Sequence, residues 1–271
     1  MDRAFILEIG LKNWIWRYAS RQFNKRILRR SHRIRLPTGN ELLLPRCSAF
    51  GTEVFVTESN VDWGSEALLC RLIEGQGVFL DIGANIGYYS LYLEPLVEQV
   101  FAFEPDSTAR MHLLSNVGSR SKVSVVSCAI GAETSTARFV QAGRSELSHL
   151  IQTGGDGCEV PVISIDDFVA ERRLSICGIK VDIGQHDLAA LQGAINVLER
   201  QRPVVLSAMQ PGRELAELSR KIDYAIFAYA REPVSREIRF VRVDALEARG
   251  LVFKMLFLVP EERSDEIRAL A

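Results

Sequence analysis

Cysteine is scarce and never paired. The five in the 271-residue chain, Cys47, Cys70, Cys128, Cys158 and Cys177, are odd in number and widely spaced, with no CxxC. Neither a disulfide framework nor a thiolate zinc site is expected, and a reducing cytoplasm is the default setting. Histidine is scarcer still, four in all, with no HExxH and no other metal-ligand spacing. No apolar run approaches the roughly 18 residues that a membrane span needs. The opening MDRAFILEIG carries Glu8 inside its apolar stretch and lacks a small-residue cleavage site, so a secretory signal is not expected. Prolines number only nine, and with 47% hydrophobic and 25% charged residues the chain reads as globular rather than disordered.

Acidic charge is nearly missing from one end. Residues 1–35 hold ten Lys or Arg against two acids, for +8; the other 23 bases and 32 acids give −9, and the two sum to the net −1. A basic arm thus precedes an acidic body. Within it Leu11, Ile15 and Tyr18 follow helical spacing and Trp14 widens the apolar stripe, while Arg17, Arg21, Lys25, Arg26, Arg29 and Arg30 form a dense positive surface. Two readings stand. In one, the apolar side docks on the body or on a second copy in a homodimer, with the arginines in water. In the other, residues 12–35 rest peripherally on an anionic membrane or hold a phosphorylated, lipid-linked substrate. Nucleic acid is not expected, because no RNP-like motif, zinc finger or interleaved aromatic-basic patch is present.

Three parts are expected: a basic helical arm over 1–32, a β extension with a lead-in helix over 33–77, and an α/β domain over 78–271. In the second, RIRLP and ELLLP are joined by the turn signal T-G-N, and EVFVT follows as a further strand. In the third, seven apolar strand candidates appear: VFLDI, VFAFE, VSVVSCAI, IKVDI, PVVLSAM, YAIFAY and FKMLFLV. Helical stretches such as 187–200 and 213–221 separate several of them. This rhythm predicts a mostly parallel sheet covered on both faces. The last two candidates are expected to form an edge hairpin, and RSELSHLIQTGGDG (144–157) reads as a flexible excursion.

VFLDIGANIGYYSLYL has the layout of strand, tight turn and helix. Gly83 permits the turn, and Gly87 permits close approach of the helix to the sheet or a ligand. Glu104 closes the next strand, 21 residues after Gly83, where its two oxygens would accept hydrogen bonds from both hydroxyls of a ribose. The dinucleotide fingerprint is broken, with Asn85 and Tyr88 where glycines are required. Asp81 stands just before the turn, where its charge would oppose a phosphate. A phosphate-free, cationic donor, S-adenosylmethionine (SAM), fits Asp81, Gly83, Asn85, Gly87 and Glu104 better. Cys128, Ala129 and Ile130 would line the adenine side, although Cys128 serves equally as a small buried hydrophobe.

Downstream, GIKVDIGQHDLAALQGA gathers polar residues at a strand end. Asp182 points toward the donor's reactive end. His186 is a candidate base for removing an acceptor hydroxyl's proton, and Asp187 a candidate for orienting the imidazole or a sugar hydroxyl. The structural alternatives are a solvent-facing turn residue for His186 and a helix cap for Asp187. Lys180, odd inside an apolar strand, either pairs with a carboxylate or snorkels to the sheet edge.

Several blocks in order resemble the FkbM family of SAM-dependent methyltransferases: DWGSEALLCRLI (62–73), VFLDIGANIGYYS (78–90), VFAFEPDSTARMHLLSNV (100–117), VVSCAIG (125–131), VPVISIDDFV (160–169), IKVDIGQHDLAALQGAINVL (179–198) and RPVVLSAM (202–209). The resemblance covers roughly residues 33–260 and implies a Rossmann-like class I methyltransferase fold with a mostly parallel seven-stranded sheet. It implies SAM as cofactor and methylation of hydroxyl oxygens on a small molecule, sugar, glycan or secondary metabolite. Carried over by position, Asp81, Gly83, Asn85 and Gly87 match the donor turn and Glu104 the ribose acid. Glu66 and Asn116 match recurring polar positions at the site or in its support, and Asp182 matches the aspartate ending the IK-D strand. The family's IK-D-x-E-G-x-E reads IKVDIGQHD here, with Gly184 for a glutamate, Gln185 for a glycine and Asp187 for the later glutamate. Either the acceptor pocket is rebuilt around Gln185, His186 and Asp187, or the protein is a degenerate scaffold.

Overall fold

The computed structural model describes residues 9–73, 75, 77–140, 149–151, 157–243 and 250–271. Helix α1 (Leu11–Arg26) leads into the antiparallel hairpin β1 (His32–Arg35) and β2 (Glu41–Leu44), turned at the T-G-N signal. EVFVT is not a strand. It falls within and just beyond α2 (Phe50–Val56), started where the Gly51 N–H donates to Ser48 Oγ at 2.7 Å. Val54 is fully buried with Leu36, Leu42 and Leu44, so packing overrides the strand preference of its valines.

Helix α3 (Ser65–Ile73) precedes β3 (Val78–Ile82), α4 (Tyr88–Leu93), β4 (Gln99–Phe103), α5 (Ser107–Val117) and β5 (Val123–Val126). A second sheet follows from β6 (Ala129–Ile130), β7 (Ser135–Val140), β8 (His149–Ile151) and β9 (Cys158–Ile163), in the order β6-β9-β7-β8. The chain then returns through α6 (Ile165–Arg172), β10 (Ile176–Val181), α7 (Asp187–Gln192), α8 (Ile195–Gln201), β11 (Val204–Ser207) and α9 (Arg213–Lys221). It ends with β12 (Tyr224–Arg231), β13 (Ile238–Arg242), β14 (Val252–Phe253), β15 (Leu256–Pro260) and α10 (Ser264–Leu270). Side chains cap two of the helices that flank the site: Asp106 accepts from Thr108 and Ala109 N–H at the start of α5, and Ser164 accepts from Asp167 N–H at the start of α6.

The main sheet runs β13-β12-β15-β11-β10-β3-β4-β5, with β14 also on β12. The five strands from β11 to β5 are parallel; β15, β12, β13 and β14 join antiparallel. Among the described residues the sheet thus has nine strands where seven were expected. The charged alternation of β13 and the two residues of β14 carry no apolar run to read. VSVVSCAI divides into β5 and β6, and β6 pairs with β9 in the other sheet. The expected edge hairpin is also revised: β15 lies between β11 and β12, and the hairpin partner of β12 is β13. Of the excursion at 144–157, only His149–Ile151 and Gly157 fall among the described residues.

Both faces of the sheet are covered, and alternation along each strand divides the core. In β3 Phe79 packs on one side while Val78, Leu80 and Ile82 pack on the other; in β15 Phe257 and Val259 oppose Leu256 and Leu258. Strand order reverses between β3 and β10, because β4 and β5 extend one way and β11 the other. Open α/β sheets bind ligands at the carboxyl ends of strands beside such a reversal.

Helix α1 docks the opposite way from the expected packing of its apolar side on the body. Arg21 is 0% exposed and donates from Nη2 to the Pro45 carbonyl at 2.8 Å, and more weakly to that of Leu44 at 3.3 Å. Arg17 donates to the Val56 carbonyl and pairs with Glu58, and Lys25 reaches Thr52 Oγ1. These three cations face inward, while Leu11 and Ile15 of the apolar stripe face water and Trp14 and Tyr18 are half-buried.

Candidate functional site

A cavity of about 750 Å³ opens at the carboxyl ends of β3, β4 and β10. One wall is the loop after β3. Gly83 has φ +76, and a Cβ there would lie 2.2 Å from the Asp182 carbonyl oxygen, so only glycine lets this loop meet the end of β10. Asn85 follows at φ +50, a conformation asparagine tolerates. Its N–H donates to Glu104 Oε2 at 2.8 Å, while Asp106 N–H donates to Glu104 Oε1 at 2.9 Å. Two backbone donors thus fix a carboxylate that lines the cavity, and each oxygen keeps a lone pair. Burial pushes Glu104 up to about 7 in spite of those bonds. Asn85 Oδ1 is buried without a protein partner.

Cys128, Ala129 and Ile130 continue the wall, with Phe103 beside them. Burial pushes the Cys128 thiol up to about 11, so it contributes apolar surface and no thiolate. A glycine cradle, a fixed carboxylate, an orphaned amide oxygen and an apolar slot together fit the ribose and adenine of a nucleoside. Among the described residues, none on this wall is a cation that would hold a pyrophosphate.

Three of the expected donor residues stand behind this wall. Asp81, fully buried, accepts from Ser90 Oγ at 2.6 Å and lies 3.5 Å from Lys180 Nζ, its neighbour in register across β3 and β10. Glu66 accepts from Asp62 N–H and from Tyr88 Oη at 2.9 Å, and its burial beside Asp62 pushes it up to about 7. A Cβ on Gly87 would meet Leu113 Cδ1 at 2.7 Å, so this position packs the loop against α5. Asn116 ties the β extension to the site: its Nδ2 donates to the Leu43 and Ile86 carbonyls, and its Oδ1 accepts from Leu43 N–H.

The opposite wall carries Asp182, Gly184, Gln185 and His186. The positive backbone angle falls on Gly184, at φ +69, and not on Gln185, which stands where the family has glycine. His186 Nε2 is buried and has no protein partner. Asp187 does not line the cavity. Its Oδ1 accepts from Ile183 N–H at 2.7 Å and its Oδ2 lies 3.4 Å from Ser207 Oγ, which fixes the turn bearing His186; burial pushes it up to about 7. Lys180 donates to the Gly83 carbonyl at 2.8 Å and lies 3.7 Å from Asp182. Burial disfavours its charge, but the surrounding Asp81, Asp182 and Asp187 more than offset this and raise its pKa. The pairing reading of Lys180 is the one observed.

Among the cavity residues that sequence reasoning missed are Asp62, Tyr89 and Lys254. Tyr89 donates to Asp62 Oδ2 at 2.5 Å, and burial pushes Asp62 up to about 6. Lys254 donates to the Val61 carbonyl and lies 3.5 Å from Glu53. Its signal was available, since a lysine inside FKMLFLV is as odd as the one inside IKVDI. With Asp62, Glu104 and Asp182 on its lining against Lys180 and Lys254, the cavity favours a cationic ligand.

The raised acids make stability depend on pH. Between about 4.5 and about 7, the folded state holds protons on Glu66 and Glu104 that the unfolded chain has released. Asp187 and Asp62 act in the same sense. Stability therefore falls as pH rises through this window; among the described residues His32, lowered by burial and by Arg21, opposes it, and the ion-paired Glu237, Glu262 and Glu266, held below the usual carboxylate range, oppose it at the acid end. The ligand-free protein is expected to melt about 4 °C or more higher at pH 6 than at pH 8, by calorimetry.

Among known proteins, the model of the methyltransferase FkbM domain matches residues 81–239. A search of curated proteins finds no match. Among solved structures, a methyltransferase FkbM from Methylobacillus flagellatus KT is similar at 21% identity and TM-score 0.43, over 67% of this chain and 43% of that one. This chain thus spans less than half the length of that relative. An rRNA methylase from Streptococcus thermophilus is similar at 13% identity and TM-score 0.39, over 72% of this chain and 93% of that one. A precorrin-6y C5,15-methyltransferase from Geobacter metallireducens GS-15 is similar at 11% identity and TM-score 0.41, over 72% and 87% respectively. The family match covers more than half of the sequence and takes in both the glycine loop and the turn with His186, and on that ground the chain belongs to the FkbM family of SAM-dependent methyltransferases.

Proposed function

We propose that this domain methylates a hydroxyl oxygen of a sugar, glycan or secondary metabolite. The observation that carries the reading is one continuous cavity, with the fixed Glu104 carboxylate on one wall and the unpartnered His186 Nε2 on the other. SAM, when bound, supplies a methyl group made electrophilic by its sulfonium. Glu104 and Asn85 would hold its ribose, and Cys128 and Ala129 its adenine. His186 Nε2 takes the proton of the acceptor hydroxyl, and the half-exposed Asp182 accepts a hydrogen bond that orients the acceptor. Asp187 is a positioning residue, acting through Ile183 on the turn that carries His186.

The test is turnover to S-adenosylhomocysteine with hydroxyl-bearing sugars and glycans as acceptors. His186→Ala is expected to lower kcat by about 100-fold or more, the span of general base catalysis, and leave SAM affinity within about twofold. Wild-type turnover with undiminished activity in that variant would remove the base assignment. No calorimetric heat with SAM or S-adenosylhomocysteine would remove the whole reading in favour of a scaffold.

A further inference from the structure

We infer that α1 and the basic cavity beside its C-terminal end form a docking surface for an anionic lipid bilayer. The face of α1 turned away from the body carries Leu11, Ile15, Trp16, Phe23 and Ile27; Trp16 is 75% exposed and Ile27 66%. Such a patch on a surface helix marks an interaction site. Its composition selects the partner, because Lys12 and Arg26 lie exposed within the same face and Arg29 and Arg30 follow it.

A second observation is independent of the apolar patch. A cavity of about 590 Å³ adjoins the end of α1, with cationic Lys25, Arg26 and Arg46 on its lining and His112 across from them on α5. Cationic side chains, with no carboxylate among the described residues of the lining, suit a phosphate headgroup. On α5 itself, Met111 and Leu114 are exposed one turn apart, next to His112. Among the described residues no helix is long and apolar enough to cross a membrane, so the helix would lie in the interface. A second copy of this chain would bring the same cations against themselves, whereas an anionic bilayer neutralises them.

The surface adjoins the methyl-transfer cavity. Helix α1 packs on α2, and Phe50 and Glu53 of α2 line that cavity. A bilayer under α1 would place lipid-linked acceptors near the site; this extension rests on the proposed function, and the docking itself does not.

The experiment uses the full chain in flotation with vesicles of phosphatidylcholine alone or mixed with phosphatidylglycerol. Wild type is expected to float with the mixed vesicles and at least about tenfold less with the neutral ones, because several basic residues meet the anionic surface together. Its tryptophan emission should shift to the blue with the mixed vesicles only. Trp16→Glu/Phe23→Glu and Arg26→Glu/Arg46→Glu should each reduce flotation about tenfold or more. Calorimetry with SAM reports separately on the cavity and should be unchanged in both variants. Wild type that neither floats nor shifts, or variants that float as well as wild type, would overturn the inference. So would a dimer by light scattering that Trp16→Glu/Phe23→Glu dissolves while vesicles are ignored.

Discussion

A Glu104→Ala variant is expected to lose SAM and S-adenosylhomocysteine affinity by at least about 100-fold, because hydrogen bonds to a charged group contribute about 1.5–3 kcal/mol each. Two effects combine. The ribose hydroxyls lose their acceptor, and the N–H groups of Asn85 and Asp106 lose theirs, so the loop after β3 is no longer held in place. Glu104→Gln separates them: its amide oxygen satisfies one backbone donor and its NH2 opposes the other. The raised pKa adds a pH signature. Glu104 is pushed up to about 7, so its carboxylate form, the one able to accept from both hydroxyls, is the minority form at pH 6 and dominates at pH 8. Wild-type affinity should therefore strengthen across that range, while Glu104→Gln should stay flat. Titration calorimetry at the two pH values reads both outcomes, and an unchanged affinity in Glu104→Ala would displace the nucleoside from this wall.

Lys180→Met is expected to destabilise the fold by about 3–5 kcal/mol, the range found when one partner of a buried ion pair is removed. Lys180 is a cation buried in the parallel part of the sheet, facing Asp81 in register and donating to the carbonyls of Ile82 and Gly83. Its loss leaves the Asp81 charge buried and two carbonyls without this donor. Removing both charges in Asp81→Asn/Lys180→Met should restore part of the stability, because no unpaired Asp81 charge is then left buried, although Asp182 still loses its cationic neighbour. Urea denaturation of the two single variants and the double variant forms the cycle. A Lys180→Met midpoint equal to wild type would mean the pair carries no structural role.

The parallel block was legible in the sequence because strands buried on both faces must be apolar throughout, and β3, β4, β10 and β11 are so apart from Asp81, Lys180, Gln99 and Ser207. The spacing from Gly83 to Glu104 placed the glycine loop beside the strand-end carboxylate for a similar reason, since one turn, one helix and one strand fill that length. Asp187 was less legible. A carboxylate at a strand end reads the same whether it faces the cavity or turns back to hold Ile183 N–H. The orientation of α1 was illegible in principle. Periodicity shows that a helix has two faces, but the body chose the polar one, because carbonyls at the end of β2 were left for Arg21 to satisfy. Asp62 and Lys254 are 192 positions apart in the chain and meet only through tertiary structure.

The insertion of β15 between β11 and β12 bears on the order in which a ribosome delivers the chain. When β12 emerges, the slot beside β11 has nothing to fill it, and the backbone groups of both strands wait for Leu256–Pro260. Lys254, which reaches back to Val61, arrives with the same segment. A nascent polypeptide stopped short of these residues would expose two open strand edges and invite holdase chaperones, and competence to take up a ligand should appear only once Leu256–Pro260 have left the ribosome.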